Sequence, residues 1–99
     1  VHNFKFYFEN MLLLLKTRKS FDLKEYSEFI RSNYGEKSLY NGDFISFVIF
    51  LNGKKELTAE SDEMFKDYSF NQIRIITQND DIDFGNGLKI TNIIISANS

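Results

Sequence analysis

Apolar and polar residues alternate at the start of the chain. Phe4, Phe6 and Phe8 interleave with Lys5, Tyr7 and Glu9, a period of two that predicts a half-buried strand. Glu9-Asn10 can turn the chain, and Met11 to Thr17 then reads as a second strand, apolar on both faces and closed by charged residues. Phe44 to Leu51 (FISFVIFL) is again apolar on both faces, which predicts an interior strand covered on each side. Asn52-Gly53 is a strong hairpin signal, and Lys54 to Thr58 would be the short, polar return strand at an edge.

One segment has helical spacing instead. Leu23, Tyr26, Phe29, Ile30 and Tyr34 form a single apolar stripe. Asp22 stands at the N-cap position with Glu25 three residues on, and Phe21 and Tyr26 are spaced for a hydrophobic staple. Gly35 follows where a left-handed cap ends a helix, so the helix should span 23–34. Farther along, Ser61-Asp62-Glu63 can open a short helical turn that buries Met64, Phe65 and Tyr68. Gln72 to Gln78 alternates once more, an acidic turn follows, and Gly85-Asn86-Gly87 leads into a final strand from Leu88 to Ser96.

The predicted class is α+β: strand, strand, helix, strand, strand, short helical turn, strand, with an extra C-terminal strand or hairpin. One helix would cross a mixed sheet flanked by hairpins. The 99 residues suit one domain, with 79–99 as an extension beyond the minimal core.

That order resembles the β-grasp fold of ubiquitin-like domains. The resemblance rests on the opening hairpin, the helix closed by Gly35, the strand running into Asn52-Gly53-Lys54-Lys55-Glu56-Leu57, and the turn Phe65-Lys66-Asp67-Tyr68-Ser69-Phe70. It implies that Tyr68 packs into the turn before the last core strand. The Phox/Bem-type scaffold domains are similar in a weaker way: Ser61-Asp62-Glu63-Met64-Phe65 resembles the acidic end of their motif, and Lys5 stands where that family places a basic contact. Asn52, Lys54 and Lys55 occupy the stretch where the rest of that acidic motif would fall, and the C-terminal Ala97-Asn98-Ser99 carries no Gly-Gly for conjugation.

Composition removes several chemistries. With no Cys, thiolate catalysis, disulfides and thiolate metal sites are excluded. The single histidine, His2, lies at the end of the chain, which leaves no partner for a Ser-His-Asp system. Asp80-Asp81-Ile82-Asp83-Phe84-Gly85-Asn86-Gly87 has the look of a calcium loop, yet a register beginning at Asn79 puts Phe84 where the loop requires Gly. No phosphate-binding glycine loop opens a helix. Neither a catalytic centre nor a cofactor or metal site is therefore expected. The apolar run Met11 to Leu15, which no other exceeds, is far shorter than the roughly 20 residues of a membrane-spanning helix. A cytoplasmic location is the first expectation, and secretion after leader removal the second.

Charge supplies the remaining signal. The net charge is −2, against a general nucleic-acid binder. Residues 1–57 carry nine basic and seven acidic side chains, whereas residues 58–99 carry three and seven. The expected function is a non-catalytic protein-interaction module that binds through a sheet face or edge, steered by Lys5, Lys16, Arg18, Lys19, Lys54 and Lys55. The alternatives are a small inhibitor or effector that occludes a partner's site, and a weak single-stranded nucleic-acid binder using Lys16, Arg18 and Lys19 beside Tyr7 or Tyr40. Self-association through the edge strands 54–58 and 88–96 is a further expectation.

Overall fold

The computed structural model describes residues 4–53 and 73–97. Within them, α1 (Phe4–Arg18) leads through β1 (Ser20–Asp22) to α2 (Leu23–Tyr34), a 3₁₀ turn (Glu36–Tyr40) and α3 (Gly42–Gly53). The chain closes with β2 (Ile73–Asp83) and β3 (Lys89–Ala97). The three strands form one sheet in the order β1-β3-β2, antiparallel throughout. The α+β class therefore holds, with the helices contributing most of the core.

α2 forms where its sequence places it. The Asp22 carboxylate accepts from the Glu25 backbone N–H at 2.8 Å, and Phe21 meets Tyr26 with ring centroids 6.0 Å apart. Gly35 donates its N–H to the Arg31 carbonyl at 2.9 Å. Its backbone, at φ 98° and ψ 165°, lies in an extended positive-φ region open essentially to glycine rather than in the left-handed helical well.

The opening hairpin is not formed: residues 4–18 make one continuous helix. Its buried residues, Tyr7, Phe8, Met11, Leu14 and Leu15, fall on a helical stripe that runs straight through the expected turn. Asn10 fits inside the helix because both polar atoms of its side chain find partners. Its Nδ2 donates to the Phe6 carbonyl at 2.8 Å, and its Oδ1 accepts from the Tyr34 hydroxyl at 2.9 Å.

Residues 44–51 are likewise helical rather than an interior strand. Asn41 caps this helix, its Oδ1 accepting from the N–H groups of Asp43 at 2.8 Å and Phe44 at 3.4 Å. Phe44, Phe47, Val48 and Leu51 are buried at i, i+3, i+4 and i+7. Asn52 and Gly53 are the last residues of α3, and no hairpin begins within it. Both elements that open the ubiquitin-like resemblance before and after α2 are thus helices. The expected strand at 54–58, the helical turn at 61–65, and the roles of Tyr68, Lys54 and Lys55 lie outside the described residues, as does His2.

Aromatic rings knit the three helices together. Tyr7 packs on Phe44 and Phe47, Phe4 on Phe47 and Phe50, and Tyr26 on Phe44 and Phe47. The Tyr26 hydroxyl donates to the Tyr7 carbonyl at 2.6 Å. Burial pushes the Tyr26 phenol well above its ordinary pKa, so it stays a protonated donor.

The sheet also departs from expectation. β2 continues through the acidic stretch to Asp83, so the turn falls at 84–88. Ile75 pairs with Ile95 and Ile76 with Ile94, but the register slips between Thr77 and Asp81. Three residues of β2 (78–80) there face the single Asn92 of β3, a bulge that lets polar residues remain in the strand. Asn92 is 1% exposed and donates Nδ2 to the Gln78 Oε1 at 2.6 Å. At the turn, the Asp83 Oδ1 accepts from the Gly85 N–H at 2.8 Å. Gly85 has φ 84°, and a Cβ there would stand 2.8 Å from the Tyr40 hydroxyl, so the turn closes directly on the 3₁₀ segment.

Candidate functional site

The basic residues singled out by sequence fall in separate places. Lys5 lies in the first turn of α1, exposed, while Lys16 and Arg18 lie in its last turn. At about 1.5 Å per residue, the eleven-residue separation of Lys5 and Lys16 puts about 16 Å along the helix axis between them, so Lys5 is not part of the cluster. Lys16, Arg18 and Lys19 all lie at the C-terminal end of α1.

Lys19 closes that end. Its N–H donates to the Leu15 carbonyl at 2.9 Å, and its own carbonyl accepts from the Ala97 N–H at 2.9 Å. The helix terminus is in this way fixed to the end of the central strand. Lys19 has φ 57°, the positive-φ position where helices usually place glycine. Arg18 is paired with Glu25 across the α1–α2 connection. Lys16 and Lys19 are exposed and have no carboxylate partner among the described residues. Three basic side chains also suit the negative end of the α1 dipole.

A second site lies on the other side of α2. A cleft of about 250 Å³ is lined by Lys24, Ser27, Glu28 and Arg31 of α2, Leu39 of the 3₁₀ turn, and Ile82, Asp83 and Phe84 at the β2 end. Each wall comes from a separate stretch of chain, and the fold alone assembles them. Lys24 is held by Asp80 of the bulge. That pairing lifts the Lys24 ammonium above its usual pKa and lowers the Asp80 carboxyl below its own, with the shared hydrogen bond the largest cause in both. Arg31 binds Glu28 and lies 3.7 Å from Glu36, too far for a hydrogen bond.

Two buried polar atoms of this cleft lack a hydrogen-bond partner among the described residues: the Ser27 Oγ and the Arg31 Nε. Neither has an evident catalytic use. The Ser27 hydroxyl touches no base that could take its proton. Among the described residues no three acidic or histidine side chains gather as a metal site would require, and no helix is long and apolar enough to cross a membrane.

Sequence reading missed this cleft. A signal was present, because Leu23, Ser27 and Ile30 stand at i, i+4 and i+7, which places a serine within the apolar stripe of α2. Its partners 39 and 82–84 had no periodicity to connect them to it. No protein-family model, curated protein or solved structure matches the chain.

Proposed function

We propose that the chain is a non-catalytic protein-interaction module whose contact surface is the C-terminal end of α1, where Lys16 and Lys19 meet an acidic partner. The observation that carries this reading is Lys19. A lysine held at φ 57° costs backbone energy that glycine would not, and its ammonium is exposed without a carboxylate partner among the described residues. Strain retained at an exposed cation fits a residue kept for its charge. Arg18 is already engaged by Glu25 and serves the site by fixing α1 to α2.

Long-range attraction from such a patch raises association rates and fades as salt screens it. The test compares capture from native lysate by the wild-type chain and by the Lys16→Glu/Lys19→Glu double variant, at low and moderate salt. Loss of the same captured protein in the variant, with an unchanged circular-dichroism spectrum, supports the reading. Equal capture removes these lysines from the contact surface. Retention of single-stranded oligonucleotides, abolished by the same double variant, would replace the protein partner with a nucleic acid.

A further inference from the structure

The chain carries three Asn-Gly pairs, 41–42, 52–53 and 86–87, and the fold leaves one of them chemically open. We propose that Asn86 is a self-modification site, where the Gly87 backbone nitrogen displaces the Asn86 side-chain amide and water completes the conversion to aspartate and isoaspartate.

Such a cyclisation needs a backbone nitrogen with no side chain crowding it, an Asn side chain that swings over it, and free rotation of the peptide between them. The pairs in α3 meet only the first condition. Asn41 is pinned on both sides: its N–H donates to the Ser38 carbonyl at 3.2 Å, its carbonyl accepts from the Ile45 N–H at 3.0 Å, and its Oδ1 caps α3. Turning its ψ away from 129° to close a ring would undo the start of that helix. Asn52 and Gly53 lie in the last turn of α3, where the helical ladder holds the Gly53 N–H.

Asn86 and Gly87 differ in each respect. Both are exposed and belong to neither strand. The hydrogen bonds that close the turn pass around them: the Phe84 N–H donates to the Leu88 carbonyl at 3.1 Å, and the Asp83 Oδ1 accepts from the Gly85 N–H. Among the described residues, no hydrogen bond engages the backbone of either residue. The Asn86 Oδ1 accepts from the Leu88 N–H at 3.0 Å, which folds the side chain back along the chain past Gly87. That N–H also polarises the carbonyl under attack and stabilises the oxyanion that forms on it.

The Gly87 nitrogen gives its proton to solvent and bonds to the Asn86 Cγ; the Cγ–Nδ2 bond breaks, and Nδ2 leaves as ammonia. Water then opens the cyclic imide. Opening at Cγ leaves aspartate, and opening at the main-chain carbonyl leaves isoaspartate, with an extra methylene in the backbone. Either product adds a negative charge three residues from Asp83. Isoaspartate also lengthens a turn that closes on Tyr40, where a Cβ on Gly85 would stand 2.8 Å from the hydroxyl.

Peptide mapping by mass spectrometry, on the folded full chain incubated at mildly alkaline pH, tests this directly. The expected result is deamidation at Asn86 at least about tenfold faster than at Asn41 or Asn52, with isoaspartate among the products. In guanidinium chloride the three pairs should react at similar rates, because only the fold separates them. Asn86→Gln, whose longer side chain would have to close a larger ring, should remove the modification from the turn. The proposal is overturned if Asn41 or Asn52 reacts as fast as Asn86 in the folded chain, if Asn86 stays intact there, or if aspartate forms without isoaspartate.

Discussion

α2 and α3 are equal in length and lie one short turn apart, yet only α2 announces itself. α2 buries Leu23, Tyr26 and Ile30 and turns Lys24, Glu25 and Glu28 outward, so its period is visible in the residues themselves. α3 reads FISFVIFL, apolar on every side, and leaves Ile49 51% exposed. A uniformly apolar run has no periodic contrast, and a buried strand and a buried helix then look alike. The difference teaches that polar residues on the outer face, rather than apolar residues within, carry the information about secondary structure.

The sharpest way to break that comparison uses Phe47 and Ile49. In a strand the two would share a face; in the helix Phe47 is wholly buried and Ile49 points to solvent. Phe47→Ala should cost about 3–5 kcal/mol in urea unfolding, whereas Ile49→Ser should stay within about 0.5 kcal/mol. Equal costs would restore the strand. α1 can be probed in the same spirit at Leu13, which is 53% exposed in mid-helix. Leu13→Pro should cost about 3 kcal/mol, while Leu13→Lys should leave the unfolding midpoint nearly unchanged.

Smaller effects belong to the ends of the helices. Asp22→Ala removes the cap of α2 and should cost about 1 kcal/mol, and Asn41→Ala should do the same to α3 if both caps work alike. Lys19→Gly should raise stability by about 1 kcal/mol, because glycine adopts φ 57° without strain. If the proposed contact surface is right, that more stable variant captures its partner less well.

The smallest effect is electrostatic. Asp80 has its pKa lowered from an ordinary value of 3.8, so the support it gives the fold is present above that value and is lost as the pH falls through the depressed one. Lys24 has its pKa raised from 10.5, so its share is present below that value and disappears as the pH rises beyond the raised one. Asp80→Asn should therefore lower stability slightly at neutral pH, leave it unchanged at acid pH where the support is already lost, and so flatten the acid limb of the profile. Both groups are exposed, which keeps the change small.

Some of this molecule was legible before folding. The limits of α2, its Asp22 cap, its Phe21–Tyr26 staple and the strand at 89–97 follow from residues a few places apart in the chain. Local hydrogen bonds and side-chain periodicity suffice to specify such features. Asn10 and Asn41 show where local reading stops. Each looks like a turn residue, yet Asn10 sits in mid-helix because Tyr34 of α2 satisfies its amide, and Asn41 starts a helix because rings from α1 and α2 bury α3. Gln78 to Asp80 remain in a strand because Asn92 and Lys24 hold them there.

The cleft belongs wholly to this second kind. Its walls are separated by up to sixty residues of sequence, from Lys24 to Phe84, and meet only when the sheet's distal turn closes over α2. The sequence by itself determined the class, the one amphipathic helix, the final strand and the absence of thiol chemistry. Only the tertiary structure decided that residues 4–18 and 44–51 are helical and that Ser27 and Arg31 share a cleft with Phe84. Those outcomes rest on contacts between residues far apart in the chain, and such contacts leave no period in the sequence.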